Sequence, residues 1–158
     1  MASALFDNTK NYSLYAIPAA WVIAFIPHAY AASLSKVFDN RSPRTYADNV
    51  AKDQTLDKAT KALILRSEGA QTNGFENLPL ISTAILAGNL AGLPSSTLNT
   101  LSFSYLATRV LYNFIYINNT SLAMANLRSV VFVTGVGICF TLFVKAGNVL
   151  KDSAANLI

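Results

Sequence analysis

The segment Arg66-Ser-Glu-Gly-Ala-Gln-Thr-Asn-Gly-Phe-Glu-Asn-Leu-Pro79 sets charged and amide side chains inside a strongly apolar chain. At about 100° per residue on a helix, Asn73 and Asn77 fall within about 20° of Arg66. Gly69 and Glu76 lie on the adjoining face, about 60° and 80° to one side. Farther on, Arg109, Tyr112 and Tyr116 follow i, i+3, i+7 spacing and share one face. Arg128 and Ser129 fall early in the last apolar run, at the same end. Ionised groups in hydrocarbon cost several kcal/mol each, so such residues mark a binding site or a polar network. As a site, the set suits a small zwitterion with more than one carboxylate. Arginine forks bind carboxylates bidentately, Glu76 can take an ammonium, and Asn73 can pair with amides. As a network, Arg66, Glu76 and Arg109 would only neutralise partners and lock helices together. The spacing alone leaves both open.

The elements that must position these groups follow from composition. The chain has 158 residues, the size of a single domain, and is 53% hydrophobic and 13% charged. Ordinary globular chains carry about 25% charged residues, so too few charges are present to coat a water-soluble surface. The expectation is an all-α membrane protein with four spans, since about 20 apolar residues cross the ~30 Å hydrocarbon layer as a helix. The spans are read at about 14–34, 61–91, 97–117 and 123–149, with a polar loop at about 37–57. Pro18 lies in the first turns of the first span, while Pro27 should kink it. The second helix starts near Leu56 or Asp57, so its first turns project into water. Gly92-Leu-Pro stops it, Asn118-Asn-Thr-Ser121 makes the next turn, and the tail after Lys151 reads as frayed. Small residues such as Ala20, Gly88 and Gly135 suit close helix packing.

Charge gives an orientation. The net charge is +4, and six of the twelve Lys and Arg residues (Lys36, Arg41, Arg44, Lys52, Lys58, Lys61) lie in or beside the polar loop. Asp39, Asp48, Asp53 and Asp57 are interspersed there, which reads as a solvated mixed-charge loop and argues against nucleic acid as a partner. The basic loop is assigned to the cytosol, and both termini to the opposite side. The N-terminus has no basic n-region or cleavage site, so the first span is read as retained. Cys139, the single cysteine, reads as a small core residue, and His28, the single histidine, as packing or an interfacial polar tip. No metal-ligand set is legible.

These residues resemble the MAPEG family, membrane-associated proteins of eicosanoid and glutathione metabolism. The family's second helix carries Arg-x-x-Arg-Ala-His/Gln-x-Asn-x-x-Glu-x-x-Pro, and Arg66, Gly69, Ala70, Gln71, Asn73, Glu76 and Pro79 stand at those places. Arg109-Val-Leu-Tyr112 with Tyr116 is similar to the third-helix pattern. Asn126-Leu-Arg128-Ser129 is similar to the Arg-Ser opening of the fourth helix. The resemblance implies a left-handed, up-down four-helix membrane bundle assembled as a homotrimer. Glutathione would then be held as co-substrate between neighbouring protomers near the cytosolic side. It further implies glutathione contacts at Arg66, Gln71, Asn73, Glu76, Tyr112, Tyr116 and Ser129, with Arg128 as the catalytic residue that stabilises the thiolate. One position departs: the motif's second arginine is Gly69 here. A Gly69→Arg change would restore a cation, and tighter binding is the expectation unless Arg66, one turn earlier, already takes that role.

The activity so implied is that of a microsomal-type glutathione transferase, with peroxidase activity as a further capacity, acting on a lipophilic electrophile or a lipid hydroperoxide. The endoplasmic reticulum is the expected membrane, with the mitochondrial outer membrane as the other candidate. The alternative keeps the fold and drops the chemistry, giving a lipid-binding scaffold or activator; Gly69 favours it. A small transporter or channel subunit is a third reading. Polar residues gathered toward one end, rather than lining a path, count against it.

Overall fold

A computed structural model describes residues 9–155. The first long helix, α1 (Ala16–Ser33), follows a 3-10 turn at Ser13–Tyr15. It buries a stripe of small residues, Ala16, Ala20, Ala24, Pro27 and Ala31. Pro27 has no N–H to give the Ile23 carbonyl one turn earlier. Asn113 of a later helix supplies the missing donor, its Nδ2 lying 2.9 Å from the Ile23 oxygen. The carbonyl that Pro27 leaves free is thereby tied to a later helix.

Between residues 37 and 57 the chain is not a plain loop. A 3-10 turn (Pro43–Thr45) leads into a short helix, α2 (Tyr46–Lys52). Tyr46 and Val50 are one turn apart and both buried, against Ala31 and Ile64. The Tyr46 hydroxyl donates to the Ala31 carbonyl at 2.7 Å. Two apolar residues among many charges give little hydropathy signal, yet i, i+4 spacing is enough to dock a turn of helix.

The next helix, α3 (Lys58–Leu90), has 33 residues, about 50 Å at 1.5 Å per residue. Asp57 caps it, accepting from Ala59 N and Thr60 N at 2.9 and 3.0 Å. Thr60 Oγ1 also donates to that carboxylate, and this bond leads the causes that hold the Asp57 pKa below its ordinary value. A lowered carboxylate pKa stabilises the cap above the ordinary carboxylate range. That contribution is lost as pH falls through the lowered value. Lys61 Nζ donates to the carbonyls of Ala51 and Asp53, closing the link from α2. At the other end Gly92 has φ +70, Gly92 N bonds Asn89 O, and Leu93 N bonds Gly88 O. That pair of bonds is the Schellman stop, and the positive φ explains the glycine.

Two more helices complete the bundle, α4 (Ser95–Ile117) and α5 (Leu122–Ala155). The last continues through Ala155, beyond the fraying read after Lys151. The main core joins Ala16, Ile81, Ile85, Leu98, Tyr105, Cys139 and Leu142, so Cys139 is a buried packing residue. Close approach is set by glycines. A Cβ on Gly74 would lie 2.7 Å from Ala24 Cβ, and one on Gly135 3.2 Å from Thr108 Oγ1. Among the described residues the secondary structure is entirely helical.

The outer surface is apolar. Phe114, Val130, Val133 and Val144 are each more than 60% exposed, as lipid-facing residues would be. Among the described residues two segments are long and apolar enough to cross a membrane, Ser13–Ser33 and Leu122–Asp152, where four spans were expected; α3 and α4 carry too many polar residues to meet that measure.

Candidate functional site

On α4, Arg109 is only 5% exposed and points toward α3. Its Nη2 donates to Asn73 Oδ1 at 2.6 Å, and its Cζ lies 4.3 Å from the Tyr112 ring centroid. Asn73 Oδ1 is therefore engaged by a cation from inside the bundle. That leaves the amide NH2 as its group for a ligand, which must offer an acceptor.

From α5, Arg128 lies over Tyr116, with Cζ 4.5 Å from the ring centroid. Tyr116 meets Tyr112 edge-on at 5.6 Å, and Tyr112 in turn packs against Phe132. Around these rings, α3, α4 and α5 enclose an open cleft of about 230 Å³ lined by Asn73, Tyr112, Arg128, Ser129 and Phe132. Four of these five were singled out from the sequence. Phe132 was not; its signal was its place one turn after Arg128 on an outwardly apolar helix. Among the described residues no carboxylate lies within ion-pair distance of Arg128, so its positive charge is open to the cleft. Ser129 Oγ donates to the Ala125 carbonyl at 3.2 Å, so its proton is spent on its own helix.

The remaining candidates lie elsewhere. Arg66 Nε donates to the Ile117 carbonyl at 2.7 Å, satisfying an orphan group at the C-terminal end of α4. Glu76 is exposed on α3. Gln71 lines a second cleft, about 390 Å³, together with Phe25, His28, Arg44, Glu68 and Thr72. There His28 Nδ1 and Glu68 Oε1 are 2.8 Å apart, joining α1 to α3, and Phe38 packs edge-on to the imidazole. This pairing spans forty residues of sequence and has no local signal.

Gly69 acquires a physical reason. A Cβ there would lie 2.7 Å from the Tyr116 hydroxyl and 3.1 Å from its Cζ. The glycine makes room for the tyrosine on which Arg128 rests. An arginine at 69 would have to push that ring aside, so the change expected to restore a cation would also disturb Tyr116. Gly69→Ala should destabilise the protein by about 1–3 kcal/mol, the range for overpacking. Gly69→Ala combined with Tyr116→Phe should cost clearly less than the sum of the two single changes, because they share one contact. Strict additivity in thermal unfolding would show that the hydroxyl is not what fills the space.

Among the described residues no cluster of three or more His, Cys, Asp or Glu could hold a metal ion. What the main cleft offers is a cation, an amide donor and aromatic faces, without a carboxylate or an imidazole. It can bind an anion and stabilise negative charge on a ligand atom beside Arg128. Neither a curated protein nor a solved structure matches the chain. The family model described as MAPEG family matches residues 11–148, nearly the whole chain. The chain is therefore a member of the MAPEG family and a membrane protein.

Proposed function

We propose that this protein is a microsomal-type glutathione transferase that activates the glutathione thiol beside Arg128. The observation carrying this reading is the cleft in which Asn73, Tyr112, Arg128 and Ser129, from three helices, come together. A free thiol with a pKa of about 8.5 is mostly protonated at neutral pH. A guanidinium beside the sulfur favours the thiolate, and the proton leaves to solvent. The thiolate then forms an S–C bond with a lipophilic electrophile as the leaving group departs with its electron pair. With a lipid hydroperoxide, two glutathione thiols would become one disulfide while the peroxide becomes an alcohol and water.

The cleft's volume bears on assembly. At about 230 Å³ it is below the roughly 300–1,000 Å³ of small-molecule sites. One chain therefore suits only part of a tripeptide. Gln71 on a separate cleft and Glu76 exposed on α3 fit a site completed by a neighbouring protomer. The assembly proposed is a homotrimer of left-handed, up-down four-helix bundles, with α3 and α4 as the two more polar spans. The basic α2 segment would face the cytosol, in the endoplasmic reticulum or the mitochondrial outer membrane. Native mass spectrometry in mild detergent should give a trimer. A stable monomer that still binds glutathione would remove the intersubunit site.

Binding tests the reading most directly. The purified protein should bind glutathione and show the ultraviolet absorbance of a bound thiolate. Asn73→Ala or Glu76→Ala should each weaken binding by about 1–3 kcal/mol, the cost of losing a hydrogen bond to a charged group. Unchanged affinity in both variants would place the ligand elsewhere. A scaffold reading keeps one observation in its favour, the glycine at position 69 where the family motif has an arginine.

A further inference from the structure

Where α1, α3 and α4 cross, Ala20, Ile23, Ala24, Gly74, Arg109 and Asn113 border a cavity of about 10 Å³. Three side chains in its wall carry polar atoms and all are buried, Tyr105 at 3%, Arg109 at 5% and Asn113 at 9% exposure. Asn113 Oδ1 has no hydrogen-bond partner among the described residues, although its Nδ2 is bonded. The amide cannot turn round to cure this. Ile23 O, released by Pro27, can only accept, so it holds the NH2 in place and leaves the carbonyl oxygen as the atom in need of a donor.

We propose that this cavity is the binding site of one structural water, which accepts from the Arg109 guanidinium and donates to Asn113 Oδ1. Size and chemistry agree. One water needs about 10–15 Å³ of such space and two to four polar partners. Other small occupants fail on charge: a cation would face Arg109, and an anion would face the Asn113 carbonyl oxygen. Water alone presents a lone pair to the one and a proton to the other. The site lies behind the ligand cleft, because the guanidinium that holds this water also holds Asn73 Oδ1. It links the backbone of α1 at Ile23 to Asn73 through Asn113, water and Arg109, and its occupancy does not depend on what the cleft binds.

Two measurements on the full-length protein in lipid test it. An experimental structure detailed enough to show other buried waters should have a density peak between Asn113 Oδ1 and the guanidinium. Well-ordered density for both side chains with nothing between them would overturn the proposal. In solid-state NMR, the Arg109 guanidinium protons should receive magnetisation from a long-lived water, and that cross-peak should be lost in Asn113→Leu. Absence of the cross-peak in the unmodified protein, or its survival at full intensity in a folded Asn113→Leu variant, would equally overturn it.

Discussion

Replacing Arg128 by alanine is expected to slow glutathione conjugation on the order of a hundredfold or more while scarcely changing glutathione affinity. The magnitude is that of removing one donor preorganised toward developing negative charge. The split between rate and affinity follows from the cleft. Asn73 and Tyr112, on other helices, would hold the rest of the tripeptide, whereas Arg128 brings the only formal charge to the lining. The sign with pH is also set. A guanidinium stabilises the charged thiolate and so lowers the thiol pKa, and without it the rate should rise only at higher pH. Arg128→Lys should recover part of the rate, since a cation remains and the planar fork is lost. Tyr116→Phe should do far less harm than Arg128→Ala, because the ring face under Arg128 is kept. A conjugation rate in Arg128→Ala equal to that of the unmodified protein would remove the residue from the mechanism. Glutathione binding without turnover of any electrophile or hydroperoxide would make the scaffold the better reading.

How far the site could be read in advance depends on what kind of contact each residue makes. Helical spacing assigns a residue to a face, and that sets Asn73 and Tyr112 among the candidates, whereas Arg128 rests on its place at the same end of the bundle and on the family pattern. Spacing says nothing about which helix receives the face. Arg66 and Asn73 share a stripe, yet Arg66 reaches the end of α4 while Asn73 is held by Arg109 from its middle. The His28–Glu68 pair and the repair of the Pro27 gap by Asn113 are likewise contacts between helices, with no local pattern. Helix ends were more legible, because Asp57 and Gly92 act within one turn of themselves. The α2 helix was not, because two buried residues among charges do not register as an apolar run. At Gly69 the sequence shows a missing cation but not the steric contact. That the Tyr116 hydroxyl lies where a side chain at 69 would begin is a contact between helices, which spacing along one helix does not carry.

Gly74→Ala should be the most damaging of the single-methyl additions at helical glycines, lowering stability by about 1–3 kcal/mol or somewhat more. The added Cβ would lie 2.7 Å from Ala24 Cβ and 3.0 Å from Ala24 Cα, so part of the obstacle is backbone. Relief would require α1 to move off α3 along the stripe where Ala20, Ala24 and Ala31 are buried. Gly88→Ala meets Leu98 Cδ2 at 2.8 Å, the mobile end of a side chain that can give, and should cost less. Gly137→Ala meets nothing within 4 Å and should be neutral, or stabilising by up to about 1 kcal/mol through helix propensity. Thermal unfolding in detergent should therefore rank the three with Gly137→Ala highest and Gly74→Ala lowest. The damage should reach the cleft as well. Gly74 follows Asn73 directly, and a shift of α3 away from α1 would move Asn73 against the buried guanidinium of Arg109. A Gly74→Ala protein should thus also bind glutathione more weakly, although residue 74 faces α1 and not the cleft. If it melts like Gly137→Ala, the close crossing of α1 and α3 is not what limits that position.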